Sequence, residues 1–215
     1  MNSNQKNRKW FARPPKFLKR MLFMMGGVAM MGIGLSVLRG IHLGTDACSC
    51  FAQGISCFLP FGFGTCLLLF HIVTLCFVLK FDIGMIGFGT VGNMLCLGYI
   101  SDFFKWLWSV ALPAGFFENN VVRYVLLLPA LAVFMVGAGA YMCSGLGSAP
   151  FDALPFIISN HVKKLPFKAV RILWDVSFMI TGTVLGGDFG IVTVLCAFCL
   201  GPIISWVQKK LEVLI

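Results

Sequence analysis

The sequence predicts an all-α polytopic membrane protein whose helical bundle is built from two tandem repeats. Three observations support this prediction: a very apolar composition, a succession of segments long enough to cross a bilayer, and a set of motifs that occurs twice. Hydrophobic residues make up 59% of the 215 residues, charged residues only 12%, and the mean hydropathy is +0.91. A soluble domain carries about 25% charged residues, so the composition excludes a soluble globular fold.

The apolar segments predict between six and eight membrane segments. A spanning helix needs about 20 mostly apolar residues, and this length is reached at roughly 21–38, 62–79, 84–108, 122–143, 170–187 and 190–207. Two further apolar stretches are too short to be clear spans and begin with Leu-Gly, at 43–60 and 147–162. Thr45 or Asp46 in the first, and Ser148 in the second, are expected to cap a short, re-entrant or crossing helix.

The motifs recur at a spacing of about half the chain. The sequence GIGLSVLRGIHLGTDACSCFAQGIS at 32–56 corresponds to GAGAYMCSGLGSAPFDALPFIIS at 137–159, and LPFGFGTCLLLFHIV at 59–73 to LPFKAVRILWDVS at 165–177. Two like halves are expected to pack face to face, and transporters bind their substrates at such a seam. We divide the chain into a basic arm, a first repeat, a linker and a second repeat, at 1–20, 21–112, 113–122 and 123–210.

Two topologies are compatible with the basic residues. If the short segments cross the membrane, eight spans make the halves parallel repeats; if they are re-entrant, six spans make them inverted repeats. Both topologies put most Lys and Arg residues, and both chain ends, on the cytoplasmic side. The charge distribution therefore does not separate them, and we give eight spans a narrow preference.

Basic residues cluster before the first apolar segment, where the sequence has Lys6, Arg8, Lys9, Arg13, Lys16, Lys19 and Arg20. This cluster predicts a cytoplasmic arm that contacts anionic lipid, in addition to the bilayer that surrounds the bundle. The arm is short and no aromatic platform accompanies it, so we expect no nucleic acid as a partner. The sequence carries no signal for an oligomeric state.

Glycine and cysteine are both frequent. The 24 glycines suit close helix packing in lipid. The nine cysteines are odd in number and lie mostly in apolar segments, so we interpret them as small buried side chains rather than a disulfide framework. We expect no metal and no cofactor.

Polar side chains at membrane depth are costly and therefore indicate function. His71 and Asp175 fall at matching positions of the two repeats, and both are expected to face a central cavity. The alternative interpretation is structural: Asp175 pairs with Arg171 one helical turn earlier on a helix surface, and His71 donates to a backbone carbonyl. The other candidates for a substrate path are Asn93, Asp46, Ser49, Gln53 and Asp152. Each has a structural alternative, as a residue that hydrogen-bonds neighbouring helices or that caps a helix. Asp102 is expected to be a solvated group at the membrane interface.

Four motifs resemble the YczE/YyaS/YitT-type bacterial membrane proteins: LGTDACSCFAQGIS (43–56), FGTCLLLFH (63–71), GTVGNMLCLGYISD (89–102) and LGSAPFDAL (146–154). The resemblance covers about residues 20–210. It implies a multi-pass protein of the bacterial inner membrane. That family tends to carry Asn where this chain has His71, which implies a polar role at this position.

Two functions remain open from the sequence. The first is a secondary transporter of a small solute, with a substrate site at the seam between the repeats. The alternative is a non-transporting membrane protein that organises or regulates a partner. We do not expect an enzyme, since the sequence has no H-E-x-x-H, no G-x-S-x-G and no Walker motif.

Overall fold

A computed structural model describes residues 15–162 and 165–211. These residues form eight α-helices and two 3-10 turns, the latter at Ile83–Met85 and Phe116–Glu118. The α-helices are α1 Phe17–Ile41, α2 Ala47–Phe58, α3 Phe63–Phe81, α4 Phe88–Ala111, α5 Asn120–Cys143, α6 Pro150–His161, α7 Phe167–Val184 and α8 Ile191–Leu211. The predicted all-α fold is confirmed for this part of the chain. Lys6, Arg8, Lys9 and Arg13 of the predicted arm lie outside the described residues.

Three helices are long and apolar enough to cross a membrane, judged by length and composition within the described ranges. They are α1, α3 and α5, with mean hydropathies of 2.0, 2.0 and 2.1. Helix α8 bends by 59° between Phe198 and Leu200, and it is a fourth candidate if its two parts form one span. Pro202 accounts for the bend, because its ring clashes with the carbonyl group of Phe198 four residues earlier and it lacks an N–H to donate.

Helices α1 and α5 form the central contact of the bundle, and they run antiparallel. A β-carbon at Gly27 would lie 2.7 Å from the Gly137 carbonyl oxygen, and one at Gly34 would lie 2.9 Å from the Ala130 carbonyl oxygen. Residue numbers therefore rise along one helix as they fall along the other. Only glycine permits this backbone approach, which supplies the dispersion contacts that hold helices together in lipid.

Helix α4 runs parallel to α1 on another face. A β-carbon at Gly92 would meet Met24, and one at Gly32 would meet Ile100. Near the C-terminal ends of both helices, the Arg39 guanidinium donates to Asp102 at 2.8 Å. Since both series of residue numbers rise together, α4 has the direction of α1 and the opposite direction to α5.

The Asp102 carboxylate is part of a hydrogen-bonded cluster and its side chain is 33% exposed, so it is paired as well as partly solvated. Besides Arg39, it accepts a 2.7 Å hydrogen bond from the Gly64 backbone N–H, and the Arg39 guanidinium lies 3.6 Å from the centroid of the Phe63 ring. The sequence could not reveal this cluster, because its members come from three different helices. It joins α1, α3 and α4 at one end of the bundle.

Arginines cap the C-terminal ends of the two central helices. Arg20 at the start of α1 donates to the Ser144 carbonyl oxygen at the end of α5 (2.9 Å), and Arg123 at the start of α5 donates to the Ile41 carbonyl oxygen at the end of α1 (2.7 Å). The last carbonyl groups of a helix have no partner within it and carry partial negative charge. The two guanidinium groups satisfy both needs and fix the antiparallel register.

The short helix α2 returns toward the end of the bundle where α1 stops. His42, just after α1, and Gln53, in the second half of α2, both contact the carboxylate of Asp188, at 2.7 and 2.6 Å. Two points on the chain that flank the start of α2 are thus joined to one residue. The segment between α1 and α2 dips into the bundle, and α2 leads back out.

The Leu-Gly turns before α2 and α6 each bind the N-terminal end of a long helix. The Leu43 carbonyl oxygen accepts from the Val192 N–H (3.2 Å), and the Leu146 carbonyl oxygen accepts from the Gly89 N–H (2.9 Å). The following Gly44 and Gly147 have φ values of 99° and 116°, a conformation that disfavours any side chain. These turns set the positions at which α2 and α6 begin.

Candidate functional site

A cavity lies where the N-terminal ends of α2 and α6 meet inside the bundle. Its volume is about 50 Å³, counted as the space open to the centres of water-sized molecules. One water needs about 10–15 Å³ on this measure, so the cavity has room for a few waters or one small solute. Its polar lining consists of Asp46, Ser49, His71, Asn93, Tyr141, Asp152, Arg171 and Asp175.

The N-terminal end of α2 presents a carboxylate to the cavity. Asp46 is the N-cap, as the sequence predicts, and its Oδ2 oxygen accepts a 3.2 Å hydrogen bond from the Ser49 backbone N–H. Its Oδ1 oxygen is buried and receives no hydrogen bond from any described residue. The cap therefore uses only half of the carboxylate, and the other half is available to the cavity.

The N-terminal end of α6 is built differently. Ala149 is its N-cap and Pro150 occupies the first turn, so the prediction of Ser148 as a capping side chain is wrong. Instead, the Ser148 backbone N–H donates to the Met85 carbonyl oxygen at 3.3 Å. Proline at this position lacks one of the N–H groups that a cap would satisfy and has the required φ. The first turn of α6 carries Asp152, which faces the cavity.

Arg171 on α7 links α6 to α7 in the wall of the cavity. Its Nη1 donates to Asp152 at 2.8 Å and its Nε donates to Asp175 at 2.9 Å. The pairing with Asp175 follows the structural alternative from the sequence, but it does not lie on a helix surface, because Asp175 is only 4% exposed. The second oxygen of Asp175, Oδ1, is buried and has no hydrogen bond to the described residues.

Three further polar side chains reach the cavity from α3, α4 and α5. Asn93, Tyr141 and His71 are 1%, 1% and 2% exposed, respectively. His71 Nε2 lies 3.7 Å from the Cys48 sulfur. The remaining polar atoms, namely both amide atoms of Asn93, the Tyr141 hydroxyl and His71 Nδ1, have no hydrogen-bond partner in the part of the chain that the structure describes.

We call six atoms of this lining the open polar atoms: buried side-chain atoms to which no described residue offers a hydrogen bond. They are Asp46 Oδ1, His71 Nδ1, Asn93 Oδ1, Asn93 Nδ2, Tyr141 Oη and Asp175 Oδ1. The great majority of buried polar atoms in proteins have partners. Leaving one without a partner costs about 1–3 kcal/mol, and more when the group is charged. Six around one cavity indicate a place that water or a solute fills.

Six of the seven candidate residues from the sequence line this cavity: His71, Asp175, Asn93, Asp46, Ser49 and Asp152. Gln53 does not, because its side chain turns away and donates to Asp188. The prediction of a role in substrate binding stays a prediction for all seven. Two residues of the polar lining were not candidates: Tyr141, which sits in an apolar segment, and Arg171, which the sequence analysis treated only as a partner for Asp175.

The chain was compared with known proteins. The model of a family of unknown function, DUF6198, matches residues 18–209. The chain belongs to this family. No curated protein and no solved structure matches it. The matched residues include every helix of the bundle apart from its outermost residues. The resemblance to the YczE/YyaS/YitT-type proteins stays a prediction.

Proposed function

We propose that this DUF6198 protein is a secondary transporter of a small solute, and that the cavity between α2 and α6 is its solute site. The observation that carries the proposal is the group of open polar atoms around a cavity in an otherwise apolar bundle. A chain that served only as a scaffold would gain stability by filling this space with apolar side chains. Retaining six polar atoms here has a physical reason if a solute supplies their partners.

The proposal includes two inverted repeats of four helices each. In support, both halves run in the order long, short, long, long: α1 to α4 and then α5 to α8. Each half also contributes one arginine that caps the first helix of the other half. Each contributes one Leu-Gly turn that binds the last helix of the other half: the turn at Leu43 binds α8, and the turn at Leu146 binds α4. Contacts that occur twice with the roles of the halves exchanged are what a pseudo-two-fold axis produces.

The proposal also includes six spans, with α2 and α6 re-entrant, in place of the eight that the sequence analysis preferred. Two observations support six. Helices α1 and α5 are antiparallel, so equivalent helices of the two halves cross the membrane in opposite directions. The contacts of His42 and Gln53 with Asp188 return α2 to the side from which the chain entered. With six spans, both chain ends lie in the cytoplasm of a bacterial cell.

Broken or re-entrant helices that meet at mid-membrane are a recurrent way to build transport sites, because their free N-terminal ends and exposed backbone line a cavity rather than lipid. Transport requires that each side of the membrane reach the cavity in turn, through small movements of one half against the other.

Native cysteines on α2 allow a direct test of access to the cavity. Cys48 lines the cavity, whereas Cys50, two residues later, is buried against α7 with its sulfur 4.0 Å from the Thr183 hydroxyl. In variants that retain a single cysteine, we expect a membrane-impermeant methanethiosulfonate reagent to label Cys48 from either side of sealed proteoliposomes. Labelling is measured by mass spectrometry on protein of known orientation.

The same helix provides both controls. Cys57 is exposed near the end of α2, so the Cys57-only protein should label rapidly and from one side. The Cys50-only protein should resist labelling from both sides. If Cys48 proves as unreactive as Cys50 from either side, the cavity is sealed, and the proposal of a transporter fails in favour of a structural role.

A further inference from the structure

We infer that the solute is a small cation with N–H donors, of the size of ammonium or a short primary amine. This inference rests on the proposed transport function and specifies its substrate class. It follows from the charge of the cavity, from the hydrogen-bonding character of the open polar atoms, and from the size of the space.

The charge of the lining is negative. Among the described lining residues, Asp46, Asp152 and Asp175 carry carboxylates and Arg171 carries the guanidinium. The N-terminal ends of α2 and α6 add a partial positive charge of about half a unit each. When all three carboxylates are ionised, three negative charges against about two positive ones leave an excess of about one negative charge. A monovalent cation neutralises this excess, whereas an anion would add to it.

The open polar atoms are mostly hydrogen-bond acceptors. Asn93 Oδ1 and, in the ionised carboxylates, Asp46 Oδ1 and Asp175 Oδ1 accept only. The Tyr141 hydroxyl and His71 Nδ1 can accept or donate, and Asn93 Nδ2 donates only. An ammonium group has donors and no acceptor. It can therefore satisfy several of these atoms at once, in charge-assisted hydrogen bonds that are about twice as strong as neutral ones.

The surroundings favour a nitrogen cation of small size. A volume of about 50 Å³ admits a group a few waters in size. The rings of Phe134, Tyr141 and Phe151 line the same space, and aromatic faces attract weakly hydrated cations. Within residues 15–162 and 165–211, no three His, Cys, Asp or Glu side chains come together as a metal site would require. These features fit an amine better than a divalent metal ion.

The test measures binding to the full-length protein in detergent at constant ionic strength. Methylammonium, sodium, potassium, acetate and glycerol are each titrated while the thermal midpoint is recorded, and uptake of labelled methylammonium is measured in proteoliposomes. We expect methylammonium to raise the midpoint in a concentration-dependent way. Asp46→Asn and Asp175→Asn should each weaken this binding about 30-fold, the effect of about 2 kcal/mol lost at a buried charged contact.

The variants are chosen to preserve the fold. Asparagine is as good an N-cap as aspartate, so Asp46→Asn retains the start of α2, and an amide at position 175 still accepts from Arg171. Asp82→Asn is the matched control, because it removes the same charge at an exposed turn where the carboxylate accepts from the Gly84 N–H. It should leave methylammonium binding unchanged.

The outcomes separate this inference from the transport proposal. If acetate, glycerol, sodium or potassium stabilises the protein instead of methylammonium, and the cavity variants abolish that effect, transport stands and the amine inference is overturned. If methylammonium binds equally well to all three variants, the cavity is not its site and the inference is again overturned. If no probe binds, the amine inference is overturned, and if Cys48 is not labelled either, the transport proposal fails with it.

Discussion

Replacing Arg171 by methionine is expected to destabilise the folded protein by about 3 kcal/mol, the lower end of the range for removing one partner from a buried ion pair, because Arg171 is 18% exposed. Arg171 donates to Asp152 and Asp175 through separate nitrogens. Without it, two neighbouring carboxylates lose their shared partner beside a small cavity that Asp46 also lines. Methionine keeps the length and apolar stem of the side chain, so the loss isolates the guanidinium group.

The measurement is unfolding of the purified protein in mixed micelles as the fraction of denaturing detergent is raised. Lys168→Met provides a matched control, because it removes one positive charge from the same helix one turn earlier, where the side chain is exposed. A change at such a position is expected to stay within about 0.5 kcal/mol.

A rescue variant distinguishes loss of charge balance from loss of packing. Combining Arg171→Met with Asp152→Asn and Asp175→Asn removes the two charges that the single change leaves without a partner. We expect the triple variant to recover most of the lost stability, since replacing all members of a buried ionic group is often close to neutral. If it remains as unstable as Arg171→Met, the guanidinium stabilises the protein through its packing, and the electrostatic argument is wrong.

Most of the polar lining of the cavity could be anticipated from the sequence, because a polar side chain in an apolar segment is costly to expose to lipid and therefore faces the interior of the bundle. His71 and Asp175 occupy matching positions in segments that are otherwise apolar, and both reach the cavity. Asp46, Ser49 and Asp152 were found through a different signal, the pair of short segments with turn residues at their start. Both signals can be read from the sequence and its internal repeat, so they require no knowledge of tertiary contacts.

The remaining features depend on how each helix is rotated and on which neighbour it meets. Arg171 binds Asp152 from another helix as well as its own neighbour Asp175, and no spacing rule predicts the former contact. Tyr141 lies in a stretch of glycine and alanine, where a lone hydroxyl gives no signal before the cavity is known. Gln53 lies on the same face of α2 as Ser49 but one turn farther from the N-terminal end of the helix, and there it contacts Asp188 instead of the cavity.

The topology shows the same limit. Changing from eight spans to six moves Lys80 to the cytoplasmic side and moves Lys105 and Arg123 away from it, so the overall charge bias hardly changes. The direction of α5 relative to α1 is visible only in their contacts, such as that of Arg123 with the Ile41 carbonyl oxygen. A charge rule that sums over loops carries no information about such a pairing.

The glycines of the α1–α5 contact lead to the second large effect. Gly27→Ala is expected to destabilise the protein by about 1–3 kcal/mol, the range for overpacking a tight contact. The added methyl group would lie 2.5 Å from the Tyr141 backbone nitrogen and 2.7 Å from the Gly137 carbonyl oxygen. Because both atoms belong to backbone, no side-chain rotation relieves the clash, and the helices must separate. This loss outweighs the helix propensity of up to about 1 kcal/mol that alanine gains over glycine.

The neighbouring residue supplies the control, and a double variant supplies the decisive comparison. A β-carbon at Gly26 meets no atom within 4 Å, so Gly26→Ala should be neutral or slightly stabilising in the same unfolding assay. Gly137→Ala alone should resemble Gly27→Ala, since its β-carbon would lie 2.7 Å from the Met31 backbone nitrogen. Once either change has moved the helices apart, the other meets little resistance, so the double variant should lose less than the sum of the two. Equal losses for Gly26→Ala and Gly27→Ala, or strictly additive losses in the double variant, would contradict a shared backbone contact between α1 and α5 and the antiparallel arrangement inferred from it.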